Sequence, residues 1–239
     1  MKLKHKSLLK KIINMKVAVL FSGGKDSVRT VHWCLKKGYS VEYLVTMKPK
    51  REDSWMFHTP NIDYAELSAE AIGISIITKE TAGVKEKELD DLKDVLKILD
   101  VDTIACGGIF SEYQKKRFEK ICGELRVKLL NPFWHVDPES FLKETIELGV
   151  EVLIIGVYAE GLDENWLGRK LDKKSLEELK KLNKKFGISL VGEGGEYETF
   201  VVDGPIFKKR IEIIESEKVW DKKTQSGYLK IKNARLINK

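Results

Sequence analysis

Short apolar runs alternate along the first half of the chain with stretches of helical spacing, and no other feature restricts the fold as strongly. The runs at 17–21, 41–46, 74–78, 103–106 and 127–130 are rich in aliphatic and β-branched residues. Such runs, short and without strict alternation, suit strands buried on both faces. Between them lie helical stretches. Residues 27–37 stop at Gly38, and a second stretch opens with Thr59-Pro60 as N-cap and first helical residue and ends before Gly73. Residues 86–99 carry Leu89, Leu92, Leu96 and Leu99 at helical spacing, and 112–125 form the next helix. Strands alternating with helices of this length predict a Rossmann-like α/β/α sandwich built on a parallel sheet. Ligands in such sheets bind at the carboxyl ends of the strands, near the point where strand order reverses.

After Asn131-Pro132 the character changes. Helices are expected at 138–148 and at 173–186, the latter capped by Asp172. Strands are expected at 152–157, 197–202, 206–214 and 228–236, with breaks at Gly204-Pro205 and Ser226-Gly227. Two domains are therefore expected, 1–131 and a smaller α+β domain at 132–239.

The composition narrows the class of protein. Of 239 residues, 42% are hydrophobic and 33% charged, and the formal charge is +6. No run approaches the roughly 18 apolar residues of a membrane span. The basic start lacks the apolar core of a secretory signal, so a cytoplasmic location without membrane contact is expected. High charge density with only two glutamines, Gln114 and Gln225, fits a thermophile. The basic balance reads as a solvated surface that also permits a polyanionic partner. Cys34, Cys106 and Cys122 form no C-x-x-C pair, and His5, His32, His58 and His135 show no metal-ligand spacing.

The loop after the first apolar run reads Ser22-Gly23-Gly24-Lys25-Asp26-Ser27. It is not the G-x-x-x-x-G-K-[ST] loop that holds the β and γ phosphates of a nucleotide. Even so, its glycines allow close backbone approach to an anion, and the helix that follows offers unpaired N–H groups. Lys25 adds charge, and Ser22 and Ser27 add hydroxyl donors. Asp26 would repel phosphate unless it holds a cation, and Mg²⁺ is the natural one. Lys25 is expected to be exposed to ligand, so that its replacement by alanine would leave the fold intact. These residues resemble the pyrophosphate loop of the N-type ATP pyrophosphatases, which split ATP between the α and β phosphates.

The stretch Gly192-Glu193-Gly194-Gly195-Glu196-Tyr197-Glu198-Thr199-Phe200 superficially suggests a dinucleotide turn, but the residues after it alternate like a strand where that fingerprint needs a helix. On a strand, Glu196 and Glu198 would share one face. Carboxylates so placed suit a cationic substrate, and the aromatic Tyr197 would assist. Together with Gly107-Gly108-Ile109-Phe110-Ser111-Glu112-Tyr113-Gln114 and Gly161-Leu162-Asp163, this stretch resembles the diphthine–ammonia ligase family, in its short archaeal form, over nearly the whole chain. The resemblance implies an ATP- and Mg²⁺-dependent ligase. It would amidate the diphthine carboxylate of translation elongation factor with ammonium, through an acyl-adenylate, releasing AMP and pyrophosphate. It assigns Lys25 and Asp26 to catalysis, with Asp26 also the metal ligand. Ser22, Gly23, Gly24, Lys25, Asp26, Ser27, His58, Gly107 and Gly108 would meet ATP. Glu112, Tyr113, Glu193, Gly194, Gly195, Glu196, Tyr197, Glu198 and Thr199 would meet the protein substrate. A homodimer is permitted, and direct tRNA binding is not expected. The alternatives are a tRNA-modifying member of the same superfamily and an ATP-binding sensor without turnover.

Overall fold

In the computed structural model, residues 15–50, 60–84 and 87–239 are described. His58 and Thr59, singled out above, lie outside them. Five strands form the first sheet: β1 (Lys16–Leu20), β2 (Ser40–Pro49), β3 (Ile76–Thr81), β4 (Thr103–Ala105) and β5 (Lys128–Leu130). Their order is β3-β2-β1-β4-β5, and all pairings are parallel. Helices α1 (Lys25–Lys36), α2 (Ala65–Ile72), α3 (Lys87–Lys97) and α4 (Glu112–Leu125) alternate with the strands. This is the expected Rossmann-like arrangement. Its switch point lies between β1 and β4, which places the loops after these two strands side by side.

The second half holds α5 (Pro138–Glu147), β6 (Glu151–Val157), α6 (Lys173–Phe186), β7 (Tyr197–Asp203), β8 (Lys209–Asp221) and β9 (Ser226–Asn238). Its four-stranded antiparallel sheet has the order β7-β6-β9-β8. Caps follow the sequence closely. Asp137 accepts from Ser140 N at 2.8 Å with Pro138 in the first turn, and Asp172 and Ser175 form a capping box on α6.

Several boundaries differ from the sequence expectation. α2 starts at Ala65, after a short 3₁₀ turn at Ile62–Tyr64, not at Pro60, and β8 starts at Lys209, not at 206. β3 starts later because Gly73, at φ +80°, and Ile74 both donate to Ala69 O, so the helix terminus consumes Ile74. β8 and β9 outrun their apolar pattern. Their outer ends are charged, and Lys232 pairs across the strands with Glu217 at 2.7 Å and Glu215 at 3.7 Å. Cross-strand charge pairs of this kind sustain a hairpin without an apolar face.

The two sheets share a core. Val17, Val19 and Phe21 of the first half pack in one buried cluster with Val152, Ile154, Phe200 and Val201 of the second. Arg29 of α1 is buried in the same region. It donates to Thr145 Oγ1 at 2.9 Å and pairs with Glu144 at 3.1 Å, and its guanidinium lies over the rings of Phe133 and Phe141. Asn61, at φ +64°, imitates a strand neighbour: its side chain donates to Leu229 O and accepts from Ile231 N, both at 2.8 Å. The first half is thereby fastened to the second sheet at a place remote from α1.

Candidate functional site

The loop between β1 and α1 is shaped by its own side chains. Gly24 N donates to Ser22 Oγ at 3.3 Å, Ser22 N donates to Ser27 Oγ at 3.3 Å, and Ser27 Oγ donates to Gly24 O at 3.0 Å. Gly23 sits at φ +79°, and a Cβ there would meet the Phe200 ring at 3.2 Å. Helix α1 begins on Gly24 with no side-chain cap. Its first amides therefore point at the loop as an anion-binding end.

The outer wall of the loop comes from β7. Val201 N donates to Gly23 O at 2.9 Å, and Lys25 N donates to Thr199 Oγ1 at 3.2 Å. A Cβ on Gly24 would stand 3.1 Å from Thr199 O. The opposite wall is the loop after β4. A Cβ on Gly107 would lie 2.7 Å from the backbone of Asp26, so only glycine lets the two loops meet there. A Cβ on Gly108 would make ordinary contacts, at 3.8 Å, with the side chains of Asn131, Gln114 and Glu193.

Lys25 differs from expectation. Its residue is 2% exposed, and Nζ donates to Val191 O at 2.6 Å and to Asp26 Oδ2 at 3.0 Å, with the Tyr197 ring centroid 5.2 Å away. The sequence places Lys25 open to ligand; in the structure the second half of the chain covers it. Burial opposes its charge, but Asp26, Tyr197 and Glu193 outweigh burial and raise its pKa, so it stays protonated. Asp26 keeps its second oxygen, Oδ1, buried without a hydrogen-bond partner. A buried carboxylate oxygen left open fits a site for a cation.

The three glutamates of 193–198 have separate environments. Glu193 accepts from Ile109 N at 3.1 Å and Ser111 N at 3.1 Å, joining its segment to the loop after β4. Burial and the nearby Asp26 raise its pKa, although the amides at 109–110 and Lys25 pull the other way. Glu196 accepts from Ser189 N at 2.9 Å and Gly194 N at 2.8 Å. It precedes β7 and folds back on its own loop, so it shares no strand face with Glu198 as the sequence suggested. Among the described residues no hydrogen bond engages the Glu198 carboxylate. Burial pushes its pKa up to about 7, with Lys25 opposing and Asp26 and Glu193 adding to the rise.

The sequence-derived residues thus divide. Ser22, Gly23, Gly24, Lys25, Asp26, Ser27, Gly107, Gly108, Glu193, Tyr197, Glu198 and Thr199 meet at one place. Tyr197 is buried there, its hydroxyl donating to Leu190 O at 2.6 Å and its pKa pushed by burial up to about 12. Gly194 and Gly195 lie in the exposed turn that precedes it. Glu112 is exposed in the first turn of α4, where Ser111 is the N-cap. Tyr113 is half-buried under Arg117, whose guanidinium stands 3.5 Å from its ring centroid. Sequence reasoning passed over Asn131, whose Oδ1 is buried without a partner beside Gly108. Its position directly after the fifth apolar run, at the carboxyl end of β5, was the available signal.

Residues 15–129 match the diphthamide synthase N-terminal domain, and residues 137–237 match the diphthamide synthase C-terminal domain. A diphthine–ammonia ligase from Bos taurus is 36% identical over 228 residues, covering 86% of this chain and 85% of that protein. One from Homo sapiens is 35% identical with the same coverage. One from Schizosaccharomyces pombe is 34% identical over 238 residues, covering 91% of this chain and 39% of that longer protein. The chain belongs to the diphthine–ammonia ligase family.

Proposed function

As a member of the diphthine–ammonia ligase family, the chain, we propose, amidates the diphthine carboxylate of translation elongation factor. Ammonium supplies the nitrogen, and ATP is cleaved to AMP and pyrophosphate. The carboxylate attacks the α phosphorus, pyrophosphate leaves, and ammonia displaces AMP from the acyl-adenylate to give the amide. The single observation that carries this reading is the closure of the phosphate-type loop by β7. The same short strand that bonds Gly23 O and Lys25 N also presents Glu198. A nucleotide tail on the loop and a protein carboxylate beside the strand would therefore be neighbours, and placing reactants in line is most of what such an enzyme must do.

Within this proposal the residues of the loop have these roles. The uncapped start of α1, the hydroxyls of Ser22 and Ser27 and the fixed charge of Lys25 would neutralise the departing pyrophosphate. Gly107 would keep the loop after β4 against the start of α1, and Gly108 beside it would let the nucleotide lie close to the carboxyl end of β4. Asp26, through its open Oδ1, would hold Mg²⁺, which when bound supplies positive charge to the phosphate oxygens. Among the described residues no group of three His, Cys, Asp or Glu is placed to hold a metal ion. An ion shared between one carboxylate and phosphate does not need such a group. Glu193 would keep the loop after β4 in register with the substrate wall.

Within the same proposal, residues up to 131 bind the nucleotide and those beyond it bind the protein substrate. No helix among the described residues is long and apolar enough to cross a membrane. A cytoplasmic, heat-adapted archaeal setting fits the charge-rich composition, and the substrate is reached without direct contact to tRNA, with a homodimer permitted. The tRNA-modifying and sensor readings gain no support from the named relatives. The decisive experiment supplies ATP, ammonium and diphthine-bearing elongation factor together and singly. AMP and pyrophosphate should appear only with the factor present. Accumulation of ADP, or AMP release that follows tRNA instead, would overturn the proposal.

A further inference from the structure

We propose that Tyr158 and Glu198 together form the receptor for the quaternary ammonium of the substrate, which makes Tyr158 a specificity-determining residue. This rests on the function proposed above. Tyr158 follows β6, and its backbone N–H donates to Glu196 O at 2.9 Å. Its side chain folds back over Gly156, the cross-strand partner of Glu198. A Cβ on Gly156 would stand 2.8 Å from the Tyr158 hydroxyl and 3.1 Å from Glu198 Cβ. The glycine is thus the gap into which the phenol is laid, beside the glutamate. Tyr158 is 38% exposed, which puts it at the surface of this wall.

A trimethylammonium has no N–H to donate. It is recognised by an aromatic face and by negative charge, not by a set of hydrogen-bond acceptors. The other carboxylates of the site are committed elsewhere. Glu193 and Glu196 each hold two backbone amides, and Asp26 holds Lys25. Glu198 is the glutamate of this stretch whose charge is left for a cation, and Tyr158 is the aromatic ring laid beside it. Tyr197, the aromatic expected from the sequence, is buried and closed off by Lys25. In diphthine the quaternary ammonium and the carboxylate share one carbon. A cation held between Tyr158 and Glu198 would therefore keep the carboxylate close to β7, whose Thr199 and Val201 hold the phosphate-type loop.

The test is steady-state kinetics on diphthine-bearing elongation factor, with ATP affinity measured separately by titration. Tyr158→Leu keeps bulk and loses the π-face, so KM for the factor should rise about tenfold with kcat little changed. Tyr158→Phe should restore most of the loss, and neither variant should alter ATP affinity. Glu198→Gln should raise the same KM, and its effect should not add to that of Tyr158→Leu, because both groups hold one cation. An unchanged KM in Tyr158→Leu would overturn the assignment. So would an equal loss in Tyr158→Phe, which would indicate a hydroxyl contact, or a parallel loss of ATP affinity. If the unaltered protein releases no AMP in response to the factor, the proposed function itself falls and takes this assignment with it.

Discussion

Replacement of Lys25 by methionine tests whether this residue is a buried hub or a solvent-facing ligand. Methionine roughly fills the volume of the alkyl chain, so the change isolates the polar contacts. The ammonium donates to the buried Val191 carbonyl at 2.6 Å. Losing a charged donor there should cost about 1.5–3 kcal/mol. The ion pair at 3.0 Å to Asp26, whose side chain is 32% exposed, contributes about 1 kcal/mol after solvent screening. Relief of the desolvated charge offsets part of this, leaving a net loss of about 1.5–3 kcal/mol. An exposed lysine would change stability by about 0.5 kcal/mol or less. Guanidinium unfolding of the nucleotide-free protein, followed by circular dichroism, separates the two cases. A loss below about 0.5 kcal/mol would refute the buried-hub geometry. The same variant should release no AMP when given ATP, ammonium and the modified factor.

Asp26→Asn should shift the Mg²⁺ requirement for AMP release to much higher concentration, whereas an unaltered titration would mark Asp26 as purely structural. Gly107→Ala drives a methyl to 2.7 Å from the Asp26 backbone, so it should lower ATP affinity at least tenfold by displacing the start of α1; calorimetric titration with ATP checks it. The Glu198 carboxyl has a folded pKa of about 7 against an ordinary 4.5, which makes stability depend on pH. Between these values the unfolded chain gives up the proton first, so stability falls as pH rises and the full penalty, at most about 3 kcal/mol, is present above pH 7. Glu198→Gln should match the unaltered protein near pH 4.5 and exceed it near pH 8 in denaturant midpoints; parallel curves at both pH values would sink this.

The parallel sheet was legible because its central strands β1 and β4 are buried on both faces and α3 carries leucines at regular spacing. The phosphate-type loop was legible because its glycines, lysine and aspartate stand together at a strand end. Long-range contacts were not. Lys25 looks solvent-facing in sequence because the Val191 carbonyl that holds it is 166 residues away along the chain. Glu196 and Glu198 look equivalent by period-two spacing, but the turn at 192–195, with Gly192 and Gly195 at positive φ, leaves Glu196 outside β7, which starts at Tyr197. Tyr158 carries no motif at all. Its role depends on Gly156 beneath it and on the antiparallel register that sets Gly156 against Glu198.

That register explains why one chain joins a nucleotide sheet to a second, antiparallel one. A phosphate loop on an isolated parallel sheet would leave Gly23 O and Lys25 N to water. Here Val201 N and Thr199 Oγ1 take both, so β7 adds two restraints to a loop that its own serines already shape. β7 in turn carries Glu198 one residue before Thr199, and β6 carries Gly156 opposite it. Any movement of β7 that adjusts the substrate wall must therefore move two hydrogen bonds of the phosphate loop. Binding of the modified side chain and binding of ATP should then be linked, each tightening the other by the same factor. A titration of ATP in the presence and absence of saturating diphthine-bearing factor measures that factor directly. Thr199→Val, which removes the acceptor for Lys25 N while keeping the strand residue β-branched, should shrink it. If the two ligands bind independently in the unaltered protein, β7 serves as a passive wall and the mechanical link does not exist.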